Sequence, residues 1–144
     1  MKESIHYLLM SDHFLFQKSL VNAVKDTGLT SGQPKILDYL KDHDGSVQKD
    51  IAAGCHIEPA SLTVILNGME SKGYIERRMQ PGDRRSVSVF LTEKGRKYVE
   101  RLNQEFERIE ETALHDFEEA ERQRLQEYLT RVYKNMIYKG KEEK

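Results

Sequence analysis

The sequence predicts a mainly α-helical protein that carries one small β-hairpin. Three observations lead there. Apolar residues recur at i, i+3, i+4 through most of the 144 residues. The period falls to about two only between residues 74 and 91, around a Pro-Gly turn signal. Charged residues make up 33% and hydrophobic ones 38%, a balance that suits helices with wide polar faces.

From about Ser4 to Lys25, residues Ile5, Leu8, Leu9, Phe16, Leu20 and Val24 fall at helical spacing, and Asp26-Thr27-Gly28 ends the helix. Thr30-Ser31-Gly32-Gln33 reads as a capping box, the Thr30 hydroxyl accepting from the Gln33 amide while the Gln33 side chain reaches back. Pro34 lies in the first turn of this second helix, where a missing N–H costs little, and Ile36, Leu37 and Leu40 form its apolar stripe. Asp42-His43-Asp44-Gly45 is a turn, after which Ser46 is expected to cap a short third helix with Val47 and Ile51 inward. Gly54-Cys55-His56-Ile57 makes a tight connection, and Glu58-Pro59 opens a fourth helix with Leu62, Ile65, Leu66 and Met69 on one face. Gly73 ends it as a left-handed cap.

Tyr74–Met79 and Val87–Leu91 then read as two strands joined by the turn PGDRR. Thr92 caps a long fifth helix running to Phe117, with Val99, Leu102, Phe106, Ile109, Ala113 and Leu114 at its apolar positions. A sixth runs from about Glu119 to Lys139, with Leu125, Tyr128, Leu129, Val132, Tyr133, Met136 and Ile137 on one side. The final GKEEK reads as a frayed tail.

The formal net charge of −1 announces no partner. Its distribution says more: residues 1–45 carry −1, residues 46–101 carry +3 and residues 102–144 carry −3. A basic middle points to a local polyanion site. The single cysteine, Cys55, allows no intramolecular disulfide and suits a reducing cytoplasm. The N-terminal apolar residues are interrupted by His6, Ser11, Asp12 and His13, so that segment reads neither as a signal peptide nor as a membrane span.

Two helices joined by a tight turn and followed by a β-hairpin are the parts of a winged helix-turn-helix. The helix over 46–53 takes the positioning role and the helix over 59–72 the recognition role. With its apolar stripe inward, the latter shows Ala60, Ser61, Thr63, Val64 and Asn67 outward. These are small or polar enough to approach base edges in a major groove about 12 Å wide, where Asn can pair with adenine and Val can touch a thymine methyl. A plain solvated helix face is the blander alternative. At the hairpin tip, Arg84 and Arg85 can reach a phosphate row or a narrow minor groove, with Asp83 orienting an arginine. The competing explanation, a charged turn that keeps an edge strand soluble, is weakened by the helix pair that precedes it.

From about Leu29 to Gly95 the chain resembles the MarR family of bacterial transcriptional regulators, the multiple-antibiotic-resistance type. The likeness rests on LTSGQPKIL, on VQKDIAAGCHIEPASLTVILNGMESKGYIERR and on GDRRSVSVFLTEKG. The last joins the family's Asp-x-Arg wing motif, here Asp83 and Arg85, to its LTxKG helix start. The resemblance implies a homodimer with residues 1–28 and 96–144 as dimerisation helices and residues 29–95 as the domain that binds double-stranded DNA. It implies a repressor of pseudo-palindromic operators, relieved by a small aromatic effector. Arg85 would enter the minor groove, Asp83 would buttress it and Arg84 would meet a phosphate. Ser61, Thr63, Val64 and Asn67 would face the major groove, and Ser46, Gln48 and Lys49 would meet phosphates. His13, Phe16 and Tyr39 would line the effector crevice, although core and rim roles suit them as well. Family members often carry arginine where this chain has Val64 and Gly68, so an A·T-rich operator read partly through groove shape is expected.

No catalytic constellation is expected. Glu110-Glu111 and Glu118-Glu119 read as solvated helix faces, and no nucleophile elbow or Gly-rich phosphate loop appears. The histidines His6, His13, His43, His56 and His115 form no HxxxH or HExxH pair, and neither a metal nor a cofactor is expected. Cys55 lies away from the first helix, where peroxide-sensing relatives keep their reactive cysteine, and reads as structural. The rival from another class is an effector- or metal-binding protein whose winged helix meets other proteins.

Overall fold

A computed structural model describes residues 2–30 and 32–142, with the side chains of Gln80, Asp83, Arg84, Arg85 and Glu142 outside the description. The expected order is found: α1 (Ile5–Val24), α2 (Gln33–Leu40), α3 (Gln48–Cys55), α4 (Pro59–Ser71), β1 (Ile75–Gln80), β2 (Asp83–Leu91), α5 (Glu93–Ala113) and α6 (Glu119–Glu142). The chain divides into two compact units, Met1–Ile109 and Glu110–Lys144.

The core of the first unit gathers one apolar face from each element. Leu20 and Val24 come from α1, Ile36, Leu37 and Leu40 from α2, and Ile51 and Cys55 from α3. Leu62, Leu66 and Met69 come from α4, Ile75, Val89 and Leu91 from the hairpin, and Val99 and Leu102 from α5. Each large aliphatic side chain buried here contributes about 1.5–3 kcal/mol. Tyr74 is also fully buried. Its hydroxyl donates to the Thr27 carbonyl at 2.7 Å, and its ring meets Tyr98 edge-on at 4.6 Å.

The helix ends follow local chemistry, with two corrections. The Ser4 hydroxyl accepts from the Tyr7 N–H at 3.2 Å and caps α1. At α2 only half of the expected box forms. The Thr30 N–H donates to Gln33 Oε1 at 3.0 Å, but the Gln33 N–H goes to the Thr30 backbone carbonyl and the cap residue is Gly32. Gly32 has φ +88 and packs under Ile65, so a side chain there would be both strained and crowded. Ser46 does not cap α3 either. Val47 holds the cap position, while the Ser46 hydroxyl donates to the His43 carbonyl at 2.6 Å. The physical reason is strand pairing: Gly45 N–H donates to Val89 O at 2.8 Å and Val89 N–H to Ser46 O at 2.9 Å. That ties the residues before α3 to β2, and Val47 bridges Ser88.

The end of α4 is a Schellman cap. Gly73 N–H donates to Glu70 O and Tyr74 N–H to Met69 O, both at 3.0 Å, with Gly73 at φ +83. The Thr92 hydroxyl accepts from the Gly95 N–H at 3.1 Å and starts α5 as expected. The fifth helix stops at Ala113, short of Phe117, and Asp116 adopts φ +66 in the turn that follows. In the second unit, α6 exposes Tyr128, Leu129, Val132, Tyr133, Met136 and Tyr138. Among the described residues no helix is long and apolar enough to cross a membrane.

Candidate nucleic-acid interface

Three residues, His56 to Glu58, separate α3 from α4. His56 turns the chain in the left-handed region at φ 56, and Ile57 N–H closes back on the Ala52 carbonyl at 3.0 Å. Cys55 is buried here, its thiol 3.9 Å from the Lys35 carbonyl, and burial pushes its pKa up.

With Leu62, Leu66 and Met69 inward, α4 leaves Ala60, Ser61, Thr63, Val64 and Asn67 exposed, as the periodicity predicts. Val64 is 70% exposed, which no folding requirement explains in a helix with an intact apolar face. The Thr63 hydroxyl donates to the Pro59 carbonyl at 3.1 Å, so it offers acceptor capacity outward. Of the three predicted residues at the start of α3, Lys49 is exposed, Gln48 is half-buried and the Ser46 hydroxyl is turned to His43.

The hairpin departs from the expected geometry at its tip. Its turn is only Pro81-Gly82, with Gly82 at φ +84. The register pairs Gln80 with Asp83 and then Met79 with Val87. Arg84, Arg85 and Ser86 therefore form a bulge on β2 and are not the turn itself. Bulges bend a strand and re-aim its side chains. The side chains of Asp83, Arg84 and Arg85 lie outside the described residues, and only their backbone path is given.

Sequence reasoning missed Arg77. It lies on the same strand face as the buried Ile75. Its Nη2 donates to Asn67 Oδ1 at 2.7 Å and to Glu70 Oε1 at 3.0 Å, and its backbone N–H donates to Glu70 Oε2 at 3.0 Å. The guanidinium holds the Glu70 carboxyl below the usual carboxylate range. One residue thus joins α4 to β1. The signal was available: strand alternation from Ile75 turns Arg77 inward, where an arginine needs a carboxylate. Arg78, also overlooked, pairs with Glu76 and lies 4.3 Å over the Phe90 ring.

The turn before α3 is fixed by Asp44. Its Oδ1 accepts from the Leu91 N–H and its Oδ2 from Arg96, both at 2.8 Å. Of the expected effector residues, Phe16 stacks on Phe106 at 6.2 Å and Tyr39 stacks on His43 at 4.3 Å, while His13 is exposed. A Cβ on Gly54 would run into the Tyr39 ring, so that glycine is what lets α3 pass so close.

A helix pair with a tight turn, a small-residue polar face on its second helix and a hairpin tied to that face define a winged helix-turn-helix DNA-binding protein. Residues 29–87 match the MarR family. The chain is 33% identical over 110 residues to the HTH-type transcriptional regulator YdgJ of Bacillus subtilis, covering 76% of this chain and 67% of that protein. It is 29% identical to the regulator YybA of the same organism, covering 78% and 75%. Among solved structures, a MarR transcriptional regulator from Methanosarcina mazei Go1 superposes with a TM-score of 0.89 at 25% identity, covering 95% of this chain and 99% of that one. The transcriptional repressor CouR, bound to a 23-mer DNA duplex, superposes with a TM-score of 0.81 at 25% identity, covering 90% and 92%. The chain belongs to the MarR family of transcriptional regulators.

Proposed function

We propose that this protein is a cytoplasmic, homodimeric repressor that binds pseudo-palindromic operators in double-stranded DNA and is not an enzyme. The observation that carries the reading is the exposed face of α4, with Ser61, Thr63, Val64 and Asn67 outward beside a hairpin whose bulge holds Arg84 and Arg85. Arg85 enters a minor groove with Asp83 as its buttress, and Arg84 meets a phosphate. Lys49 and Gln48 at the start of α3 meet phosphates, with Ser46 the weakest of the three because its hydroxyl is engaged. The +3 charge over residues 46–101 favours a polyanion there. Repression is supported by the likeness to CouR.

Residues 1–28 and 96–144 serve dimerisation, leaving 29–95 for DNA. In support, α1 exposes Ile5, Leu8, Leu9, Met10, Phe14, Leu15 and Val21, more apolar surface than a solvated helix carries. An aromatic effector bound near His13, Phe16 and Tyr39 would act by favouring one separation of the two recognition helices over another.

Affinity for a duplex, measured across salt concentrations, tests the reading. Each phosphate neutralised adds about −0.9 to the slope of log affinity against log salt. Several contacts per subunit therefore give a loss of about a thousandfold or more between roughly 50 and 200 mM salt. A slope near zero contradicts DNA binding by this face.

A further inference from the structure

We infer that Arg77 fixes the polarity with which Asn67 meets a base, so that the recognition helix acts at that position as a hydrogen-bond donor. The inference rests on α4 being the groove-bound helix. Arginine carries only donors, so the atom of the Asn67 amide that faces it must be the oxygen. Chemistry thus assigns the amide orientation. The oxygen is held at 2.7 Å from Nη2. Arg77 cannot readily swing away, because Glu70 takes its guanidinium and its backbone N–H, each at 3.0 Å, and its side chain is only 20% exposed.

What the exposed Asn67 then offers is its NH2 group, which donates to no protein acceptor among the described residues. Bidentate pairing with adenine needs both ends of the amide in one plane, the oxygen accepting from N6 and the nitrogen donating to N7. Here Arg77 occupies one lone pair of the oxygen and aims it at the guanidinium, so an adenine N6 amino group must compete with Nη2 for the oxygen. Guanine presents two acceptors, N7 and O6, and thymine presents O4. Asn67 therefore favours guanine or thymine over adenine, a revision of the adenine pairing expected from residue type alone. Arg77 is a positioning residue: it acts on the base through Asn67.

The test is selection from a randomised duplex library with the full-length protein and with Asn67→Ala, Arg77→Ala, Arg77→Lys and the double variant Asn67→Ala/Arg77→Ala. Asn67→Ala should erase preference at one symmetry-related base pair, which marks the pair that Asn67 reads. Arg77→Ala should raise adenine at that pair by about fivefold relative to guanine and thymine, the worth of one hydrogen bond, as the amide becomes free to rotate. Arg77→Lys, still a donor toward the oxygen, should keep the original preference, and the double variant should match Asn67→Ala. If Arg77→Ala does not fold, Arg77→Gln, whose amide can accept as well as donate, should show the same change. An Arg77→Ala protein that binds all sequences more weakly with preferences intact overturns the inference. So does replacing adenine with purine, which lacks the 6-amino group, at the marked pair, if it weakens wild-type binding by more than it weakens Asn67→Ala binding. Wild-type enrichment that Asn67→Ala leaves unaltered sinks the inference alone. No wild-type enrichment sinks the reading of α4 as well.

Discussion

Single residues settle roles that residue type leaves open. Tyr74 is fully buried, donates to Thr27 O and packs against Tyr98, and its pKa is raised from 10.0 to about 12, chiefly by burial. Its unfolded form ionises at the ordinary value, so the stability it lends is complete below pH 10 and is lost as pH rises toward about 12. Tyr74→Phe should cost about 1 kcal/mol at pH 8, the worth of one hydrogen bond. The gap to wild type should close between pH 10 and 12 in urea titrations; a gap constant over that range contradicts this account. At the wing, Arg85→Ala should weaken DNA binding and relax preference at pairs flanking the operator core. Arg84→Ala should weaken all sequences about equally. Equal weakening and unchanged preference in both variants would show that the two arginines do not divide the work. Both arginines were conspicuous in the sequence because they follow a turn signal. Arg77 was not, because an arginine in ERR reads as surface until strand alternation is combined with Glu70 on the preceding helix.

At the scale of elements, periodicity carried most of the fold. Every helix was legible because its apolar residues recur on one stripe, whether buried as in α2 to α5 or left exposed as in α6, and the hairpin because its period changed. What escaped was tertiary. Ser46 looks like a cap by type, yet strand pairing with Val89 takes its backbone and His43 takes its hydroxyl. The bulge at Arg84–Ser86 depends on the pairing of two strands, which local turn signals do not specify. The junction of hairpin and α5 yields a direct check. A Cβ on Gly95 would collide with the Tyr74 carbonyl oxygen, which the backbone cannot readily withdraw because Thr92 N–H donates to it at 3.1 Å. In an ordinary helix, Gly→Ala gains about 0.8–1 kcal/mol. Here the clash should dominate, and Gly95→Ala should cost about 1–3 kcal/mol in denaturant unfolding. A more stable variant would show that the junction is loose.

For the whole molecule, two features fit the proposed partners. One is the apolar surface left on α1 and on α6; the other is a basic middle in a chain of net charge −1. In the proposed reading a second copy covers the first and a duplex meets the second. The central claim is that two recognition helices, related by two-fold symmetry, read DNA together. Selection of duplexes from a random library by the purified wild-type protein tests it most directly. The account predicts an inverted repeat with half-sites about one helical turn, ~34 Å, apart. Enrichment of a single asymmetric half-site, or of no sequence at moderate salt, would contradict it.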